Sequence, residues 1–443
     1  MLSPIYIAFL LILSIVAIII LSARYKFNTF FVLLIVAATV GFAAGFDGEK
    51  IINLLKTGFG TTLEKIGLLI IFGTTLGVLL EKSNATLSLA NFILSKTGNN
   101  KVPLAVTLMG FLIGLPIFCD SGFIVLIGLV MSLVGRLPKL HVALIVCLAS
   151  ALYSVHCLVP PHPGITAAAG ILKVDIGRAM LLGTVLAVPP VIVAFFWAKY
   201  INQKLGHIYT QSFDIQYIEP KNLPRPMASF LPIFIPITLI SLKSIVLLNP
   251  QFLPPSVFSL AKFIGDPMIA LLVGIFLTIP LFKNIERENI SGLFDKALDK
   301  SGAILAVTAA GGAFGEVIKA LDLGKVFGEV LAASGLGLAI PFALAAVFKT
   351  AQGSSTVAVI STAGIVAPLL ASIGLDTEEG HLLALSAAGA GSMLFSHTND
   401  SYFWVISKFS ALDTATTLRA HSTVSALMAI TAFLSVWIAS FFV

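Results

Sequence analysis

Four short stretches put carboxylates, hydroxyls, imidazoles and an amine into otherwise apolar sequence: "GLPIFCDSGF" (114–123), "HCLVPPHPGI" (156–165), "FKTAQGSSTVA" (348–358) and "FSHTNDSYF" (395–403). An ionisable group surrounded by membrane-like sequence is costly enough to suggest function. A carboxylate in a partly desolvated cavity can exchange a proton near neutral pH, which makes Asp120, His156 and Asp400 the expected proton-coupling groups. Asp120 and Asp400 also fit a second reading, as N-caps of the helices that follow them. "QGSSTVA" reads as a helix N-terminus rich in hydroxyls, offering N–H groups and a positive dipole to an anion and hydroxyls to a polyol. The expected substrate-binding set is therefore Ser121, Gly122, His162, Lys349, Gln352, Gly353, Ser354, Ser355, Thr356, His397, Thr398 and Asn399. Lys349 either pairs with a carboxylate or snorkels to an interface. His141 and His381 read as packing residues at helix starts, and Glu81 and Glu316 as solvated or structural residues near helix ends. His156 and His162 have no cysteine or acidic cluster beside them, so no metal site is expected.

These residues need a scaffold, and composition says which kind. The 443-residue chain is 58% hydrophobic and 11% charged, with a mean hydropathy of +1.02, against about 25% charged in soluble domains. Apolar runs near bilayer-crossing length recur from end to end, so the expected fold class is an all-α polytopic membrane protein. Spans are expected near 4–22, 27–46, 66–81, 102–118, 122–135, 140–158, 178–198, 228–248, 262–282, 301–318, 338–349, 355–373, 380–396 and 421–442. Shorter segments at 84–97, 322–334 and 400–411 read as tilted helices, hairpin arms or surface helices, giving 12–14 crossings. The net charge of +6 comes from residues clustered in short loops such as Arg24-Tyr25-Lys26, without a basic stripe interleaved with aromatics, so no nucleic acid is expected. Cys119, Cys147 and Cys157 read as small buried residues. Met1–Ser22 reads as a retained first span.

The breaks belong to a repeat. Asp47–Lys65 and Lys283–Lys300 are charged lead-ins, and "GTTLGVLLEKSNATLSLANFILSKTG" has the cadence of "GGAFGEVIKALDLGKVFGEVLAASG". Leu104 then maps to Leu338, Ser121 to Ser355, His141 to His381, His156 to His397 and Asp175 to Asp413; in this register Asp120 falls on Ser354. The expected organisation is 1–65 N-terminal spans, 66–198 repeat 1, 199–227 cytoplasmic linker, 228–300 linking spans with an amphipathic segment, and 301–443 repeat 2. Arg24 and Lys26 place the first loop inside, and Lys199, Lys204, Lys221 and Arg225 do the same for the linker. The repeats then start from opposite faces, which makes them inverted repeats with broken helices, a transporter signature with substrate near the midplane. Non-helical backbone at that depth survives only inside protein or along a wet cavity, so the four breaks are expected to share one.

The chain carries no P-loop, H-E-x-x-H or G-x-S-x-G with a base, so neither an enzyme nor an ATP-driven pump is expected. A channel would need a continuous polar stripe or charged ring.

The segments "GLPIFCDSGFIVL", "HCLVPPHPGI", "FKTAQGSSTVAVISTAGI" and "GAGSMLFSHTNDSYFWV" resemble the signature segments of the gluconate permease family, the gluconate:proton symporters of the ion transporter superfamily. The resemblance runs over essentially the whole chain. It implies inverted repeats, re-entrant hairpins, scaffold and transport domains and, as a partner, a second copy in a homodimer. It also implies proton symport of gluconate or a related hydroxy acid across a bacterial inner membrane, with no cofactor beyond the coupling proton. Similar members carry D-serine, keto-gluconates or glycerate. The resemblance supports Asp120, Ser121, Gly122, His156, Gln352–Thr356 and His397–Asp400 as cavity positions. A passive anion channel is the alternative from another class.

Overall fold

In the computed structural model, described for residues 4–21, 25, 27–97, 101–205, 223–248, 254–282, 287–321, 336–397 and 400–442, every regular element is helical. The chain opens with α1 (Pro4–Ile19) and α2 (Thr29–Ala43), the latter capped by Asn28, whose side chain accepts from the Phe30 N–H. The first charged lead-in and the span after it form one helix, α3 (Gly48–Lys82), started by Asp47, which accepts from the Lys50 N–H at 2.8 Å. That helix bends by 46° between Glu64 and Gly67. Next come α4 (Ala85–Thr97), α5 (Val102–Gly114), α6 (Cys119–Arg136), α7 (His141–Leu158), α8 (Pro163–Leu172) and α9 (Ile176–Leu205).

The linking region holds α10 (Pro226–Leu248), α11 (Pro255–Ile264) and α12 (Pro267–Thr278). The single span expected at 262–282 is thus two helices meeting at 65°, because Asp266 caps a new helix by accepting from the Met268 N–H. The second charged lead-in is also continuous with its span, as α13 (Arg287–Lys319). After it come α14 (Ala339–Gln352), α15 (Ser355–Val366), α16 (Glu378–Gly391), α17 (Ser401–Phe409) and α18 (Thr414–Thr417); α18 runs through a π turn (Leu418–Ser422) into α19 (Thr423–Ala439). The segment 322–334 lies outside the described residues.

The order long helix, broken hairpin, buried helix, short helix, long helix occurs twice, as α3 with α5–α9 and as α13 with α14–α19. The two copies run in opposite directions. Gly58, near the start of α3, packs against Gly312 and Glu316, near the end of α13. The start of α7 sits at the end of α9, where Asn202 accepts from the Ala143 N–H and donates to the Lys139 carbonyl. The start of α16 sits at the other end of α9, where Arg178 bridges Glu378 at 3.1 Å and Glu379 at 2.9 Å. Trp197, late in α9, donates to the Ala420 carbonyl at the start of the last helix. Equivalent helices are therefore antiparallel, which is the inverted repeat.

By length and composition, the 138–172, 176–205, 291–319 and 414–439 stretches are long and apolar enough to cross a membrane, and the two bent pairs at 48–82 and 255–281 add to them. The arms α5 and α14 are only 13 and 14 residues, about 20 Å, against a hydrocarbon core of about 30 Å. They are halves of broken hairpins. Every residue of α7 is buried, so this helix is the axis of the core. Small residues let neighbours approach it: a Cβ on Gly110 would lie 3.0 Å from Ala151, and one on Gly183 would lie 2.2 Å from the Leu158 carbonyl oxygen.

Candidate functional site

All four breaks meet at the middle of the bundle. The first lies at 115–118, the second at 159–162, the third at Gly353–Ser354 and the fourth, among the described residues, at 392–397 and Asp400. Ending a helix there leaves carbonyls that lipid cannot satisfy, and two histidines supply the donors. His162 Nε2–H donates to the Gly114 carbonyl at 2.9 Å, at the end of α5. His397 Nε2–H donates to the Thr350 carbonyl at 2.9 Å, near the end of α14. The carbonyl oxygens can only accept, which fixes both tautomers. By role, His397 is therefore the counterpart of His162, not of His156.

The strongest electrostatic feature joins the third and fourth breaks. Lys349 is 0% exposed, and its Nζ lies 2.6 Å from Asp400 Oδ2, itself 4% exposed. Lys349 also donates to the Gly353 carbonyl, where a positive φ of 84° turns the chain out of α14, and it lies 5.4 Å from the Tyr153 ring centroid. Asp400 accepts from the Tyr402 N–H at 3.0 Å and from the Ser396 hydroxyl. Of the sequence readings of Asp400 the cap on α17 is present, and the residue also carries a buried ion pair that the sequence did not assign to it. Of the two readings of Lys349, the ion pair holds. Behind the pair, the His421 ring, in the π turn, places Nε2 3.1 Å from Ser396 Oγ and packs against Tyr153 and Tyr402, whose rings stack at 5.6 Å.

The helix starts face a cavity of about 410 Å³, within the range of about 300–1,000 Å³ usual for small-molecule sites. Its wall includes Asp120 and Ser121 from α6, His156 from α7, Ser354, Ser355 and Thr356 from α15, and Asp400. Asp120 lies in the first turn of α6 rather than in the break, and α6 has no side-chain cap. Asp120 Oδ1 is buried without a hydrogen-bond partner among the described residues, and so is His156 Nδ1. Buried polar atoms are nearly always paired, so these two mark where a ligand or water belongs. Ser354 is the N-cap of α15, accepting from the Val357 N–H at 3.3 Å; its counterpart at the start of α6 is Phe118. Aligned by these caps, Asp120 falls on Thr356, which replaces the register that set it on Ser354.

Several expected ligands stand elsewhere. Gly122 packs against Leu152, His162 is buried behind Phe118 with its Nε2 committed, and Lys349 and His397 are held by the bonds above. Gly353 accepts from Lys349 rather than facing the cavity. His156 occupies the last turn of α7, so it stands before the break and not in it. Thr398, Asn399 and the Gln352 side chain lie outside the described residues. Sequence reasoning missed Lys300, whose Nζ donates to Ser121 Oγ at 2.8 Å at the cavity rim, because it closes a charged lead-in that reads as solvated. It missed His421 as well; the only signal was an imidazole in an otherwise apolar last span.

The sequence profile described as GntP family permease matches residues 6–442. The chain belongs to the GntP permease family. It is 30% identical over 429 residues to the high-affinity gluconate transporter of Escherichia coli K12, covering 94% of this chain and 95% of that one. It is 32% identical to a permease of Haemophilus influenzae, covering 91% and 86%, and 26% identical to the D-serine transporter DsdX of Escherichia coli K12, covering 100% of both. The fold matches the YdaH transporter of Alcanivorax borkumensis with a TM-score of 0.63 at 14% identity, covering 89% of this chain and 90% of that one. It matches MtrF of Neisseria gonorrhoeae with a TM-score of 0.58 at 15% identity, covering 88% and 84%. This GntP permease is a multi-pass membrane transporter and not an enzyme.

Proposed function

We propose that this permease imports gluconate or a closely related hydroxy acid by proton symport across a bacterial inner membrane. The observation that carries this reading is Asp120: a carboxylate whose buried Oδ1 has no hydrogen-bond partner among the described residues, in a cavity whose wall also includes Asp400 of the buried ion pair. Lys349 is committed to Asp400 and Lys300 bonds Ser121, so Asp120 has no direct ion-pair partner among the described residues and its charge repels an incoming anion unless a proton removes it. Binding proton and anion together avoids that repulsion, which is the physical content of symport. The first-turn N–H groups of α15, the Ser355 and Thr356 hydroxyls and Lys300 are suited to a hydroxylated carboxylate. Lys199, Lys204 and Arg225 make the linker face cytoplasmic. An opening toward that face past the exposed Lys300 would make this an inward-facing form. The likeness to the gluconate transporter supports the sugar acid.

D-serine is the second reading, favoured by the likeness to DsdX and by Asp120, a cavity carboxylate without an ion pair among the described residues that suits an ammonium group. Uptake into proteoliposomes, with and without an imposed pH gradient, across a panel of hydroxy acids and D-serine separates these. Gluconate accumulation that an uncoupler abolishes is expected. Accumulation of D-serine alone would replace the substrate, and flux indifferent to the gradient would remove the coupling.

A further inference from the structure

A second cavity, of about 630 Å³, lies at the opposite ends of the same helices. The first receives the starts of α8 and α15 and the middle of α13; the second receives the ends of all three, with the early part of α3 and the start of α16. Between them the helices pack at glycines, against backbone or, at Gly311, against the Ile360 side chain. A Cβ on Gly315 would lie 3.1 Å from Gly364 Cα, one on Gly311 would lie 2.3 Å from Ile360, and one on Gly164 would lie 2.8 Å from Thr356 Cα. The two cavities share no lining residue, and the second lies with the start of α16, at the end of α9 away from the linker.

The second cavity is chemically equipped. His381, read from sequence as a packing residue, lines it, and its Nε2 is buried without a hydrogen-bond partner among the described residues. Lys319 is tied to Glu316 at 2.9 Å, which leaves Lys173 as the lining cation without an ion pair among the described residues. Thr57 and Thr61, one turn apart on α3, add hydroxyls. With Glu316 held by Lys319, Asp376 is the lining acid without an ion pair among the described residues, and it would repel a second carboxylate. One cation, one imidazole, two hydroxyls and flanking acids suit a singly charged, polyhydroxylated acid.

We propose that this cavity is the vestibule on the face opposite the linker and holds a second, weaker subsite for a hydroxylated monocarboxylate, with His381 and Lys173 as its ligands. The proposal rests on the sugar-acid reading for its choice of ligand. The glycine seam is the closed gate between vestibule and central site, and opening it separates α15 from α13.

The test is labelling of Thr61→Cys in sealed proteoliposomes by a membrane-impermeant maleimide, located by peptide mass, with D-gluconate as the probe and sorbitol as its uncharged analogue. Labelling is expected only from the face opposite the linker. Millimolar gluconate should slow it about fivefold and sorbitol should not. Protection should persist when Lys300→Gln, Ser355→Ala and Thr356→Ala together remove the cation and hydroxyls of the central site, and it should disappear in His381→Ala and in Lys173→Gln. Absence of labelling from that face, labelling without protection, protection lost with the central site, or protection retained in both vestibule variants would each overturn the proposal. If gluconate protects Thr61→Cys while unmodified protein accumulates no hydroxy acid, the transport reading fails and the subsite stands.

Discussion

Replacing Lys349 by methionine removes one partner of the buried pair and nearly preserves volume. At 2.6 Å, with an effective dielectric of about 20, the attraction is on the order of 6 kcal/mol. Desolvating two fully enclosed charges offsets most of that, so the pair adds little over apolar packing, whereas orphaning one charge costs about 3–5 kcal/mol. Asp400 keeps the Tyr402 N–H and the Ser396 hydroxyl, which do not neutralise it, so Lys349→Met is expected near the lower end of that range. Asp400→Asn preserves the cap on α17 but strands the ammonium group, with the Gly353 carbonyl and the Tyr153 ring left to it and no negative charge, and is expected near the upper end. The double variant leaves no orphan charge and is expected within about 1 kcal/mol of the parent. Thermal inactivation of the detergent-purified protein, followed by the fraction still monodisperse, gives the cycle. Single variants as stable as the parent, or a double variant as unstable as the sum of the singles, would refute the account of this pair.

Three other outcomes follow from the geometry. Gly183→Ala places a methyl 2.2 Å from the Leu158 carbonyl oxygen, beside the break after α7, and is expected to cost about 1–3 kcal/mol; Gly60→Ala, with nothing within 4 Å, should match or exceed parental stability in the same melts. Lys300→Gln removes the cation from the cavity rim and should raise KM for acid substrates several-fold in uptake assays without lowering stability, since Lys300 is exposed. His421→Phe keeps a ring against Tyr153 and Tyr402 but releases Ser396; it should slow gradient-driven uptake, while Ser396→Ala with His421 intact should reproduce the defect if the imidazole acts through that hydroxyl.

The broken helices were legible in the sequence because each break carries its own chemistry: proline, glycine and capping side chains in an apolar run. The inverted repeat was legible from loop charge and the order of the motifs. Individual roles were harder to read, since helical phase and cap position decide them. A shift of two residues moves Asp120 from opposite Ser354 to opposite Thr356, and Asp120 and His156 stand in helical turns flanking breaks that were expected to contain them. His162 and His397 look like ligands in the sequence because nothing there shows that a carbonyl at a broken helix end lies within reach. Lys349 illustrates the converse: a lysine in an apolar run reads equally well as snorkelling until its carboxylate, 51 residues on, is placed beside it. The partners of His421 and Lys300 come from other segments of the chain, so the lone imidazole in the last span and the lysine closing a charged lead-in did not show what they bond.

The central claim is that the proton binds in this cavity at Asp120, and Asp120→Asn tests it most directly. Parent and variant are reconstituted into the same vesicles and assayed for uptake driven by an imposed pH gradient and for exchange of labelled against unlabelled substrate at equal pH. The expected result is that the variant loses gradient-driven accumulation while retaining exchange. Full gradient-driven accumulation by Asp120→Asn would contradict the account.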